Sequence, residues 1–204
     1  MASSVPELVL GSGSPTRKRL LENAGIAFEV IKPNVDEDAI RAVMLADGDA
    51  QVPADVAEVL ARAKAEDVRT RVSGRAVLAS DQVLALGDAL LAKPKTMDDA
   101  RDRLLDLRGK THQLHTAVVL VKGDTDLWSM VSTVDVTFRD YDAAFVGRYL
   151  AAAGSDVLSS VGAYEVEGVG VQLIEKISGD LFSVQGLPVI EVLAALRQHG
   201  VIGS

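Results

Sequence analysis

Cysteine is absent from this chain of 204 residues, and histidine occurs only as His112, His115 and His199. Disulfides, thiolate nucleophiles and cysteine-based metal sites are therefore excluded. Three scattered imidazoles do not make a histidine cage, so any metal must sit among oxygens. Aromatic residues make up 4% of the chain, too few for the stacking platforms on which single-stranded nucleic acids lie. Long apolar runs are missing as well: none reaches the roughly 18 residues that a membrane-spanning helix needs. With no charged segment ahead of an apolar stretch at the N-terminus, a cytoplasmic protein with no membrane partner is expected. Positive charge is in deficit too. The formal net charge of −8 repels polyanions, which argues against a nucleic-acid polymer as partner and leaves room only for local anion sites.

What is present is an aliphatic chain, 48% hydrophobic and rich in Ala, Val and Leu, in which strand-like and helix-like segments alternate. Glu7 to Gly11 reads as a buried strand, Pro15 opens a helix that Gly25 stops, and Ala27 to Ile31 is a second strand. Residues 33 to 52 are acidic with weak periodicity and a polar turn at Asp47 to Asp49. From Pro53, the positions Val56, Val59, Leu60, Ala63 and Val68 mark a helix. "RAVLAS" reads as a strand ending at Ser80, with Asp81 at its carboxyl end, and Gly87-Asp88 as a hairpin turn. Met97 to Leu107 is helical, strands at 112 to 122 and 127 to 138 flank Gly123-Asp124, and a helix over 141 to 152 ends at Gly154. A glycine-rich segment, a strand at Val171 to Ile177 and a helix after Pro188 complete an α/β chain with a mixed sheet, no internal repeat and no interdomain linker.

Several residues carry chemistry. "GSGSP" at 11 to 15 puts small residues and backbone N–H groups ahead of a helix N-terminus, where an anion is favoured, and Arg17 adds a bidentate fork; the competing reading is a solvated basic turn. Asp81 can hold a divalent cation or take a proton from water, or it can be a turn aspartate bonded to its own backbone. Asp36 and Glu37 pose the same choice. Lys64 is a phosphate ligand or a surface lysine, and Lys93 is held extended by Pro94. Together these cations and carboxylates describe a metal and polyphosphate site. His112 and His115 read as structural or surface residues. Two decoys fall away: Gly11-Ser12-Gly13 lacks the third glycine of a dinucleotide fingerprint, and "RGKTH" lacks the first glycine of a P-loop.

The segments "LVLGSGSPTRKRLLENAGIAFEV", "VDE" at 35 to 37, "LARAKA" at 60 to 65, "VLASDQVLALGDALLAKPKT", "GAYEVEGVGVQLIEKISGD" and "VQGLPV" resemble, in order, those of the Maf-like nucleoside triphosphate pyrophosphatases. The resemblance covers nearly the whole chain. It implies one Maf-like domain over residues 1 to 204, an elongated mixed sheet flanked by helices with two lobes around a cleft, and a cytoplasmic homodimer. It further implies hydrolysis of a nucleoside triphosphate to the monophosphate and pyrophosphate with a divalent cation, Mg²⁺, Mn²⁺ or Co²⁺.

Carried over by position, Asp81 is the proton acceptor, Asp81 and Glu37 face the metal, and Ser12, Arg17, Lys64 and Lys93 surround the phosphates. Thr16, Gln82 and Glu167 occupy the positions that distinguish substrates. Gln82 and Glu167 resemble the branch that cleaves 7-methyl-GTP, whereas Thr16 departs from the bulky aromatic frequent there. A carboxylate at 167 suits the N1–H and amine edge of a cationic, methylated guanine. The alternatives are a house-cleaning pyrophosphatase that is broad or prefers dTTP and UTP, and a nucleotide-sensing regulator of cell division without turnover.

Overall fold

The computed structural model describes residues 5 to 46 and 52 to 203; the turn expected at Asp47 to Asp49 lies outside them. Seven strands form one open mixed sheet: β1 (Leu8–Gly11), β2 (Phe28–Val30), β3 (Ala76–Leu86), β4 (Ala89–Leu91), β5 (Thr111–Lys122), β6 (Thr125–Phe138) and β7 (Ile174–Ser178). Their order is β2-β1-β3-β5-β6-β7, with β4 paired to β3. β1 runs parallel to β2 and β3, and every other pairing is antiparallel. The helices are α1 (Pro15–Asn23), α2 (Glu37–Ala46), α3 (Pro53–Arg69), α4 (Met97–Leu107), α5 (Ala143–Ala153), α6 (Leu181–Val184) and α7 (Val189–Gln198). None of the described helices is long and apolar enough to cross a membrane.

Period-two alternation assigns the faces of β3. Val77, Ala79 and Val83 pack with Val56, Leu60, Ala61 and Val68 of α3. Ala76 and Leu78 point the other way, against Leu20 and Leu21 of α1 and Val192 and Leu196 of α7. Further along the sheet, Leu84, Leu114, Val134 and Phe138 join Leu104 of α4 and Val146 and Tyr149 of α5 in a separate cluster. The sheet is thus sandwiched at one end and covered by α4 and α5 at the other.

Three expectations are corrected here. The strand expected to stop at Ser80 continues through Asp81 to Leu86, because β5 pairs with it from Ala76 to Ala85 without a break. The acidic stretch after residue 33 contains α2, started by Asp36, whose Oδ1 accepts from the Ala39 N–H at 3.0 Å. The strand expected at 171 to 177 begins only at Ile174, after a 3₁₀ turn over Val169–Leu173. That turn folds Gly170 so closely onto Glu165 that an added Cβ would lie 2.5 Å from the Glu165 carbonyl oxygen.

One topological feature positions the site. β1 ends at Gly11 opposite Ala79, and β4 takes up the same edge of β3 only at Leu84. Ser80 to Val83 therefore have no strand partner on that edge, so side chains from other elements enter the gap.

Candidate active site

Asp81 lies on the α3 face of β3 and is 4% exposed. Facing it is Lys64, which belongs to the buried stripe of α3 formed by Ala57, Leu60, Ala61, Lys64, Ala65 and Val68. A buried ammonium is tolerable only with anionic partners, and Lys64 has a pair. Its Nζ donates to Asp81 Oδ1 at 2.5 Å and sits 2.8 Å from Glu37 Oε1. Glu37 arrives from the first turn of α2, where a carboxylate also suits the helix dipole. Two residues distant in sequence are thus brought to one cation, while Asp36 is spent on capping α2. Asp81 is not the turn residue of the bland reading, nor Lys64 a surface lysine.

Arg41, one turn after Glu37 on α2, was not singled out in the sequence. Its Nη2 lies 3.4 Å from Glu37 Oε2 and 3.9 Å from Asp81 Oδ2. An arginine four residues after the acidic start of a helix was the available signal. Burial works to raise the Glu37 carboxyl, but the hydrogen bond and charge of Lys64, with the charges of Arg41 and Lys93, outweigh it, and the group is held below its ordinary value. A depressed acid stabilises the fold above its unfolded value and loses that contribution as pH falls through the folded one. Urea midpoints should therefore drop as pH is lowered from about 6 to about 3.5, and Glu37→Gln should flatten part of that fall, as followed by equilibrium unfolding at each pH.

Arg17 enters through the gap beside β3. Ser14 caps α1 by accepting from the Arg17 N–H at 3.3 Å, and Ser12 Oγ accepts from the Ser14 N–H at 3.2 Å. One donor of the "GSGSP" turn, the Ser14 N–H, and one of the first turn of α1, the Arg17 N–H, are thereby spent locally. The Arg17 guanidinium donates through Nε to the Gly186 carbonyl at 2.7 Å, and through Nη1 to the Ser80 carbonyl at 2.9 Å and Ser12 Oγ at 3.2 Å. Its Nη2 makes no hydrogen bond among the described residues, and Arg17 is one of the residues that line the cleft. Burial pulls this guanidinium below its ordinary value against the opposing pull of Asp81 and Glu37. Gly186 has φ +94°, and an added Cβ would lie 3.3 Å from Arg17 Nε, so both conformation and space call for glycine.

These groups line a cleft of about 630 Å³, which Lys93 also lines, from the loop after β4. Burial lowers the Lys93 ammonium below the usual lysine range, with Arg17 and Lys64 adding to the effect against Glu37 and Asp81. The same cleft is also lined by Thr16, Gln82, Tyr164, Glu165 and Glu167. Gln82 Nε2 donates to the Ser183 carbonyl at 2.8 Å and to Thr116 Oγ1 at 2.9 Å. Because Ser183 offers a carbonyl, the amide nitrogen must face it, and Gln82 Oε1 is left as the open acceptor. Glu167 Oε1 pairs with Arg19 Nη2 at 2.6 Å, so Arg19 bridges α1 and the glycine-rich segment rather than lying idle on the helix surface. Glu165, also missed in the sequence, has its carboxyl pushed up by burial and by Glu167. His112 is structural: it is buried, with Nε2 3.0 Å from the Tyr164 hydroxyl.

The donor set fits a hard, oxygen-seeking cation. Asp81 Oδ2 is buried without a hydrogen-bond partner, and Glu37 stands beside it. No group of three or more His, Cys, Asp or Glu among the described residues could hold a metal unaided, so phosphate and water oxygens would have to complete the shell.

An open mixed α/β sheet whose interrupted edge gathers two carboxylates and several cations in one cleft defines an α/β protein with a site for a highly charged small molecule. The chain belongs to the Maf-like protein family, whose model matches residues 7 to 199. It is 49% identical over 196 residues to the 7-methyl-GTP pyrophosphatase of Brucella suis biovar 1 (strain 1330), covering 96% of this chain and 98% of that one. To the 7-methyl-GTP pyrophosphatase of Rhizobium meliloti (strain 1021) it is 45% identical, covering 98% and 99%. To the nucleoside triphosphate pyrophosphatase of Caulobacter vibrioides (strain ATCC 19089 / CIP 103742 / CB 15) it is 43% identical, covering 98% of each.

Proposed function

We propose that the chain acts as a single catalytic domain that hydrolyses 7-methyl-GTP, or a closely related modified purine nucleoside triphosphate, to the monophosphate and pyrophosphate. The observation that carries this reading is that two charge clusters line one cleft: Lys64, Lys93 and Arg17 with the Asp81 and Glu37 pair, and Glu165 with Glu167. A triphosphate is anionic and a 7-methylguanine base cationic, so such a substrate is complementary to both clusters. The names of the relatives support the same assignment.

Asp81 Oδ2, the oxygen that Lys64 leaves open, accepts a proton from water as the water oxygen attacks the α-phosphorus. The bond to the α–β bridging oxygen breaks, and that oxygen leaves with pyrophosphate. Lys64 holds Asp81 and Glu37 in place and favours the ionised form of Glu37. Arg17 Nη2 and Lys93 offset charge on the phosphoryl oxygens and the leaving group. A divalent cation held by Asp81 and Glu37 would supply Lewis-acid stabilisation of that charge. Glu167, with the open Gln82 oxygen, accepts from the guanine N–H edge.

The test is pyrophosphate release from 7-methyl-GTP, GTP, dTTP and UTP in parallel, with Mg²⁺, Mn²⁺ and Co²⁺. The expected result is the highest kcat/KM for 7-methyl-GTP, and a loss of about tenfold or more in that preference over dTTP in Glu167→Gln. Comparable rates across the panel would assign a broad house-cleaning role instead, and binding without release of pyrophosphate would assign a sensor.

A further inference from the structure

Four carboxylate oxygens face each other where Glu37 and Asp81 meet, and two cations divide them. Lys64 takes the inner pair, Glu37 Oε1 and Asp81 Oδ1. Arg41 Nη2 stands over the outer pair, Glu37 Oε2 at 3.4 Å and Asp81 Oδ2 at 3.9 Å. The two cations are held very differently. Lys64 is fixed in the core stripe of α3 and makes short contacts, whereas Arg41 lies on the open cleft, 24% exposed along its side chain, at distances too long for a close hydrogen bond to Asp81. Asp81 Oδ2 is consequently buried and unpartnered even with Arg41 nearby. A buried carboxylate oxygen in that state favours a stronger cation, and a carboxylate oxygen has lone pairs enough to ligate one and still accept a proton.

We propose that Arg41 is a resident counter-cation of this carboxylate pair, a positioning residue that holds Glu37 and Asp81 together in the empty enzyme and must swing away when a divalent cation enters. The inference rests on the reading of Asp81 and Glu37 as the cation-facing pair. It adds that entry of the metal is a competition with a side chain of this chain, and that the cation can claim only the oxygens Arg41 covers, because Lys64 is not displaceable without emptying the core stripe of α3. Released, the guanidinium remains on the cleft wall.

The competition is measurable without turnover. Mn²⁺ is titrated into nucleotide-free protein and followed by calorimetry or by loss of the free-ion spin-resonance signal. Arg41→Gln, a helix-compatible change on a partly exposed position, should bind Mn²⁺ at least about fivefold more tightly than wild type, the scale of a partly exposed ion pair. Lys32→Gln is the control: it removes the same charge from the same cleft without a contact to either carboxylate, and should change the affinity less than twofold. Affinity in Arg41→Gln equal to or weaker than wild type, undetectable binding in both included, overturns the proposal. So does an equal gain in Lys32→Gln, which would reduce the effect to net charge. A failure of the hydrolytic reading shows up separately, in the triphosphate panel, and leaves these titrations unaffected.

Discussion

Asp81→Asn is expected to lower kcat for pyrophosphate release by about 10²- to 10⁴-fold, the range a positioned general base contributes, with the chain still folded. Asparagine keeps an oxygen that can accept from Lys64 Nζ, and Glu37 remains 2.8 Å from the same ammonium, so the buried cation is not stranded. What is lost is the proton-accepting capacity of Oδ2, the oxygen that has no other partner in the structure. A structural role for Asp81 would appear as a lowered melting temperature with kcat falling in proportion to unfolded protein. A chemical role appears as a kcat loss at unchanged melting temperature and substrate KM. Steady-state kinetics, with melting curves on the same samples, separates the two. A kcat within about threefold of wild type would remove Asp81 from the chemistry.

The same residue shows what the sequence could and could not reveal. That Asp81 lies near the carboxyl ends of the parallel strands follows from the apolar run before it, because ligand sites in such sheets gather there. That the strand continues past it does not follow, since Asp81-Gln82 looks like the polar end of "RAVLAS" until β5 is seen to pair across it. The site is therefore made by an interruption in the neighbours of β3, at Ser80 to Val83, and not by the end of β3. No local pattern encodes where a neighbouring strand stops.

Lys64 was legible in principle. Taking Val59 and Ala63 as part of the apolar stripe turned the helix by a fraction of a turn and placed Lys64 outside; with Ala57, Ala61 and Ala65 as the stripe, a lysine stands among core positions, which itself signals a paired charge. Glu37 was separable from Asp36 only by the helix that begins there, and α2 is short, with Glu37, Asp38 and Arg41 weakening its periodicity. Side-chain to backbone contacts at long sequence separation, such as Arg17 to Gly186 and Gln82 to Ser183, have no periodic signature at all. Motif resemblance could mark "VQGLPV", but only the fold shows that its glycine carbonyl anchors the first helix.

That anchoring sets the second large effect. Arg17→Ala should lower folding stability by about 3 to 5 kcal/mol, the scale of taking a charged donor away from two buried carbonyls. Arg17 is 9% exposed, and its guanidinium fills the gap in the sheet edge by donating to Ser80, Gly186 and Ser12. Truncation leaves the Ser80 carbonyl beside a cavity, while the Gly186 carbonyl retains only Ser80 Oγ, at 3.0 Å. Arg17→Lys tests whether charge or shape matters: an ammonium cannot donate in two fixed directions from one plane, so it should recover less than half of the lost stability. Activity should follow a different order. Because Nη2 is the guanidinium nitrogen left without a hydrogen bond among the described residues, Arg17→Lys should raise KM for the triphosphate more than it lowers kcat, provided the variant is assayed well below its melting temperature. Urea unfolding at constant m-value gives the first quantity and initial-rate kinetics the second. A fully stable, fully active Arg17→Lys protein would mean that the fork does not hold the edge of β3 to the α6–α7 turn, and that the position asks only for positive charge.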